Sequence, residues 1–200
     1  SWLDQPDMLG IRLTFHWGAQ QRWLHDATLD WFWPAAEKAG IPVAVYPPGA
    51  VARIGEIAAA HPDLKLVIDH FAMPLEARDD ALLPTADSLV AVADRPNICV
   101  KASALPSYTN DEFPFPRLHE PIRRVLEAYG PRRVFWGSEM TRLRCSYAEA
   151  VRLFTEELDF LTGQDLAWVM GRGISEWLGW PLSPALAQSP TTVGSGGGST

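Results

Sequence analysis

Five short runs of apolar and β-branched residues recur along the chain: Gly10–Phe15, Ile41–Tyr46, Leu64–His70, Asn97–Ser103 and Arg133–Ser138. Each stays apolar at successive positions instead of alternating, the pattern of a strand covered on both faces and hence of a parallel sheet. Helical patterns lie between them. Ala27–Ala39 stops at Gly40, Val51–Ala60 before His61-Pro62, Thr85–Ala93 at Arg95-Pro96 and Leu118–Tyr129 at Gly130-Pro131. Glycine accepts the left-handed turn that ends a helix, and proline cannot continue one. Two further helices, Ser146–Leu161 and Gln164–Leu178, follow the fifth run. Strand starts are roughly 20 to 36 residues apart, the size of a β-α unit, so the pattern predicts a parallel α/β sheet under helical cover.

An open doubly wound sheet and a closed barrel both fit that alternation. No strand runs into GxGxxG or GxxxxGK[ST], which disfavours the dinucleotide and P-loop versions. A (β/α)8 TIM barrel needs eight strands and usually about 250 residues. Five strands in 200 residues therefore predict such a barrel lacking its first two or three strands, with the missing part expected before Ser1. Residues 1–186 are expected to form this single domain. Residues 187–200, which end in Gly194-Ser-Gly-Gly-Gly-Ser-Thr200, have the composition of a flexible linker.

Composition narrows the partners. The net charge is -7, and no basic stripe stands out, which argues against nucleic acid. Arg123–Arg124 and Arg132–Arg133 flank a helix and are expected to be solvated. The two cysteines, Cys99 and Cys145, form no CxxC pair, so a reducing, cytoplasmic setting is expected without disulfide or zinc knot. No apolar run reaches the roughly 18 residues of a membrane span, and the N-terminus lacks a basic-then-apolar leader. An unpaired parallel edge would be sticky, so a homo-oligomer or a complementing chain is expected to cover it.

Barrel enzymes carry their chemistry at the C-terminal ends of strands. Those ends read Phe15-His16, Tyr46-Pro47, Asp69-His70, Lys101-Ala-Ser103 and Gly-Ser138-Glu139. His70 is expected to ligate a metal or polarise a substrate, against a histidine simply hydrogen-bonded in the mouth. Asp69 is expected to point the other way and tie down a loop. Glu139, at the end of a buried strand broken by glycine, is expected to be desolvated and suited to proton transfer; the rival role is a loop-fixing pair with Arg142 or Arg144. Arg12 and Lys101 are candidates for holding a substrate carboxylate, or for structural ion pairs. His16 and Arg142 complete the expected substrate-binding set, with rim packing the alternative for His16. His25, His61 and His119 read as surface residues. Trp31, Trp33, Trp168, Trp177 and Trp180 are expected to pack helices on the barrel, and Trp17 and Trp136 to wall its mouth.

Gly-Ile-Arg-Leu (10–13), Val-Ile-Asp-His (67–70), Val-Lys-Ala-Ser (100–103) and Phe-Trp-Gly-Ser-Glu (135–139) resemble, in order and spacing, motifs of the amidohydrolase-related, metal-dependent barrel hydrolases. That group includes dicarboxylate lactonases and decarboxylases related to aminocarboxymuconate semialdehyde decarboxylase. Gly171–Leu178 resembles the group's closing helix, so the likeness spans roughly Leu9 to Trp180. It implies a site at the C-terminal face of a (β/α)8 barrel. It also implies that His70 is a substrate contact or, with Glu139, a ligand of a divalent metal (Zn or Mn), and that Glu139 stands in the place of the last-strand acid. Two departures stand beside it: no His-x-His strand is present, and Glu139 replaces the group's usual Asp.

The activity expected is hydrolysis of a C–O or C–N bond in a small carboxylated substrate, a lactone or cyclic ester first. Metal or histidine would polarise the carbonyl, and Glu139 would move the proton. Decarboxylation of an aromatic or muconate-like acid is the alternative on the same site. A non-catalytic barrel fragment or scaffold is the alternative from another class. A phosphate-binding isomerase is disfavoured, because Glu-Met-Thr-Arg follows the last strand instead of a glycine-rich loop.

Overall fold

The computed structural model describes Gln5 and residues 8–180. The strands are β1 (Ile11–Thr14), β2 (Val43–Tyr46), β3 (Leu66–Ile68), β4 (Ile98–Ser103) and β5 (Val134–Gly137). Their order in the sheet is their order in the chain, and every neighbouring pair is parallel. Each crossover therefore steps one strand in the same direction. A doubly wound sheet reverses its direction partway, and a barrel wall does not. The sheet is a partial barrel wall.

Register separates its two faces. Arg12 pairs with Ala44, Ala44 with Val67, Val67 with Cys99 and Lys101 with Phe135, so these side chains share one face. The other face carries Val43, Val45, Leu66, Ile68, Ile98, Val100 and Val134, all fully buried. Against it pack the crossover helices α1 (Phe32–Ala39), α2 (Val51–Ala60), α3 (Leu82–Val90) and α4 (Pro116–Tyr129) through Trp33, Ile54, Leu89 and Ile122. At roughly 25 cal/mol per Å² of apolar surface, this outer layer dominates the stability. The inner face, which points into the barrel, carries the candidate residues Arg12 and Lys101.

The predicted elements are found with shifted ends. α1 starts at Phe32 instead of Ala27, because Ala27 sits in the left-handed region (φ 62°) and begins a turn. The stretch expected as one helix over Ser146–Leu161 is α5 (Tyr147–Arg152), opened by a Ser146/Glu149 capping box and widened into a π turn at Leu153–Glu157. The stretch Gln164–Leu178 is likewise divided into α6 (Gly163–Ala167) and α7 (Gly173–Leu178), broken where Gly171 is extended. α7 crosses onto the inner face, where Ile174 and Trp177 meet Val67, Cys99 and Phe135. Gly173 permits this approach, since a Cβ there would lie 2.9 Å from the Phe135 ring and 3.1 Å from the Arg132 carbonyl.

Three expectations about surface residues change. Arg133 is not solvated: it donates to the carbonyls of Tyr129, Ala93, Arg95 and Ile98, tying the N-terminal ends of β4 and β5 together. Trp31 and Trp180 do not pack helices on the sheet but are exposed, whereas Trp33 is buried. His61 pairs with Glu37 at 3.0 Å and links the ends of α1 and α2. Both cysteines are free thiols, and no described helix is long and apolar enough to cross a membrane. The expected linker at 187–200 lies outside the described residues.

Candidate active site

Past their last strand residues, three neighbouring strands turn through left-handed, non-glycine residues: His70 (φ 51°), Phe71 (φ 53°) and Ala72 (φ 56°) after β3, Ala104 (φ 59°) after β4, and Glu139 (φ 50°) after β5. Such a conformation costs an L-residue about 1–2 kcal/mol. Burial of Phe71 and Met73, worth roughly 1.5–3 kcal/mol each, offsets that strain. The turns bring the side chains of His70 and Glu139 face to face, with His70 Nε2 3.7 Å from Glu139 Oε2.

Around this pair the inner face is charged. Asp69 is 1% exposed; Arg12 Nε donates to its Oδ2 at 2.6 Å, and Lys101 Nζ stands 2.8 Å from Oδ1. The Lys101 contact lies off the angle of a hydrogen bond, so its attraction is coulombic. Asp69 thus does not point away to a loop, as its alternation with His70 suggested. It shares the face of Arg12 and Lys101, and the left-handed turn at His70 is what brings both neighbours into the mouth. Arg12 also directs Nη2 at His70 Nε2, 3.4 Å away. The other ring nitrogen, Nδ1, lies 2.7 Å from Ser103 Oγ.

The remaining candidates divide. His16 stacks on Trp17 (4.9 Å) and leans on Tyr46 (5.2 Å), which in turn meets His70 edge-on at 5.6 Å. An aromatic row therefore links His16 to the pair, and exposed Trp17 forms its outer end. Trp136 instead lies edge-on to Tyr147. Arg142 stands over the ring of buried Tyr108 and donates to the Leu75 carbonyl, so it holds two mouth loops together. Glu139 faces His70 and is not paired with Arg142 or Arg144 among the described residues. Its side chain is 36% exposed, so the desolvation expected from its strand is not in place. Half-buried His119 bonds the Pro114 carbonyl. Ser103 is the residue that sequence reasoning missed, although the period-two spacing from Lys101 puts it on the same face. A larger cleft of about 460 Å³ beside Thr109, Phe113 and Cys145 contains none of these groups. A smaller groove of about 200 Å³ runs along the inner face below Arg12 and Lys101, floored by Ala44, Val67 and Ile174.

The amidohydrolase family model matches residues 1–180. The chain belongs to that family. Among solved structures it is similar to an amidohydrolase from Burkholderia multivorans with bound zinc: 21% identity over 86% of this chain and 64% of that one, TM-score 0.74. It is also similar to a protein assigned as a 2-pyrone-4,6-dicarboxylic acid hydrolase from Pseudomonas putida, at 23% identity over 87% of this chain and 64% of that one, TM-score 0.61. A third is assigned the same activity, comes from Acinetobacter baumannii and has citric acid bound: 15% identity, 86% and 64% coverage, TM-score 0.65. These likenesses show the fold, and the chain spans just under two thirds of each of those proteins. No curated protein matches.

Among the described residues, no three His, Cys, Asp or Glu side chains are placed to hold a metal ion together. His70 and Glu139 are two donors, and the guanidinium of Arg12 stands 3.4 Å from His70 Nε2, where a metal would need the lone pair. The described residues thus do not by themselves make the expected Zn- or Mn-type site, and no step below uses a metal.

Burial holds the His70 imidazole below the usual histidine range; Asp69 and Glu139 pull it back up, Arg12 and Lys101 push it further down. His70 is therefore neutral at pH 7, with one ring nitrogen donating and the other accepting. Because its folded value lies below its unfolded one, protonation favours unfolding. The stability it contributes is full above the unfolded pKa of about 6.5 and is lost as pH falls below it, by at most about 1.4 kcal/mol per pH unit. Urea unfolding at pH 7.5 and 5.5 should show wild type losing more stability than His70→Gln; equal losses would contradict a buried neutral ring.

Proposed function

We propose that this chain carries the site of a hydrolase that opens a small lactone or cyclic ester bearing a carboxylate. One observation carries the reading: His70 and Glu139 face each other across the mouth at 3.7 Å, beside an arginine that is 51% exposed. Arg12 keeps guanidinium edge free beyond Asp69, and its planar fork suits a carboxylate. Lys101 adds positive potential from below. With the acid group held there, the ester carbonyl meets the neutral His70 ring, whose N–H polarises it. Glu139 accepts a proton from the attacking water, the ring C–O bond breaks, and that proton passes to the departing oxygen, leaving a hydroxy acid. The relatives assigned as pyrone dicarboxylate hydrolases support the substrate class. The free cysteines fit a cytoplasmic enzyme, and the sheet edges fit a second copy or complementing chain.

The test is a panel of carboxylated lactones and pyrones, with 2-pyrone-4,6-dicarboxylate first, followed by absorbance for ring opening and by CO₂ release. Ring opening without CO₂ is expected. Arg12→Met should raise KM roughly 10- to 100-fold with a smaller effect on kcat, the loss of one charge-assisted contact of about 1.5–3 kcal/mol. CO₂ release would replace hydrolysis by decarboxylation, and an unchanged KM would remove Arg12 from substrate binding.

A further inference from the structure

His70 Nε2 has two neighbours with opposite demands. Arg12 Nη2, at 3.4 Å, can only donate and so requires a bare nitrogen; Glu139 Oε2, at 3.7 Å, can only accept and so requires an N–H. The nearer neighbour is the arginine. With the mouth empty, the proton of the neutral ring therefore belongs on Nδ1, where it is donated to Ser103 Oγ at 2.7 Å. A hydroxyl can also turn round and donate, which makes Ser103 a partner for either form of the ring.

Ser103 is built for that position. It is 4% exposed, so water does not compete for Nδ1. Its register partner on β5 is Gly137, and a Cβ there would come within 3.1 Å of the Ser103 Cβ. The missing side chain leaves the serine a slot beside the ring. Among the described residues, His70 is the side-chain partner of this hydroxyl, so its proton is free to rotate.

We propose that Ser103 is the positioning residue of His70: it holds the ring as the Nδ1–H form in the empty site, and accepts the opposite form when an anion occupies Arg12. The second half rests on the carboxylate reading of Arg12 given above. With that guanidinium turned to a carboxylate, its demand on Nε2 is withdrawn. The ring then carries its proton on Nε2, aimed at the mouth, while Ser103 donates to Nδ1. Both forms are neutral and carry one ring proton, so the exchange changes no charge. It couples occupancy of the acid-binding group to the appearance of the N–H that polarises the carbonyl.

The experiment is nitrogen NMR of the full chain labelled with ¹⁵N-histidine at pH 7.5, His70 being assigned by the signals that His70→Gln removes. Without anion, wild type should show the Nδ1–H form over the Nε2–H form by roughly tenfold, the effect of about one hydrogen bond. Ser103→Ala should reduce that preference, because Arg12 still favours a bare Nε2 while the Nδ1–H is left buried without its acceptor, and Ser103→Thr, which keeps the hydroxyl, should restore the wild-type ratio. Saturating citrate should reverse the wild-type ratio. A dominant Nε2–H form in the empty wild type, or the wild-type ratio in a folded Ser103→Ala, overturns the assignment. Should Ser103→Ala not fold, Ser103→Cys decides in its place, because a thiol of the same shape is a weaker partner and must reduce the ratio. A serine-dependent Nδ1–H form that citrate leaves unchanged supports the role of Ser103 and overturns the carboxylate reading of Arg12.

Discussion

Asp69→Ala should destabilise the fold by about 3 kcal/mol, which for a chain of this size lowers Tm by roughly 6–12 °C. The carboxylate is 1% exposed and lies between Arg12 and Lys101 at 2.6 and 2.8 Å. Removing it leaves two cations on the inner face with no counter-charge. Their exposures differ, and this sets the size of the loss. Arg12 is 51% exposed and can turn to water, whereas Lys101 is 29% exposed and must keep most of its length inside. The stranded lysine should account for most of the cost. Accordingly, Asp69→Ala combined with Lys101→Met should be more stable than Asp69→Ala alone, because the second change removes the uncompensated charge and leaves a side chain of similar length. Urea unfolding of the four proteins of this cycle measures both quantities. A single variant within 0.5 kcal/mol of wild type, or a double variant no better than the single, would show that the triad carries no appreciable coupling.

The same triad marks where the sequence stops being legible. Continuous apolar runs identify all five strands, and the unbroken β-α alternation selects a parallel sheet, because both signals are local and repeat with a period. Arg12 and Lys101 within those runs, and His70 and Glu139 at or just past the ends of theirs, can likewise be read from the sequence. Which way each one faces is another matter. Strict alternation puts Asp69 and His70 on opposite faces, and that inference fails because β3 ends at Ile68 and the next residues enter the left-handed region. Nothing in His-Phe-Ala signals such a turn, since glycine or asparagine is its usual sign. The turn is imposed by burial of Phe71 and Met73, a tertiary cause. Ser103 escaped notice for a related reason. A serine at a strand end has no charge to draw attention, and its partner lies 33 positions away in the chain. The divided C-terminal helices follow the same logic: their apolar spacing reads as continuous, while packing of α7 on the inner face requires the break at Gly171.

Glu139→Gln should lower kcat by about 10²–10⁴-fold on whichever cyclic ester the panel identifies, the usual contribution of a positioned proton acceptor. The amide has the size of the carboxylate but cannot take a proton from water. Stability should stay within about 0.5 kcal/mol of wild type, because Glu139 is a third exposed and its neighbour His70 is uncharged at pH 7. Loss of turnover in a fully folded protein therefore separates a chemical role from a structural one, and turnover within twofold of wild type would remove Glu139 from the mechanism. Glu139→Asp adds a second reading. The related barrel hydrolases that this sequence resembles usually carry aspartate here, yet in this chain the longer side chain is what brings Oε2 to 3.7 Å from His70. Shortening it withdraws the carboxylate by about 1 Å, a displacement that can cost on the order of 100-fold in rate. Glu139→Asp should thus fall between wild type and Glu139→Gln. An aspartate variant faster than wild type would mean that the mouth is shaped for the shorter acid and that the glutamate is a departure the rest of the site has not accommodated.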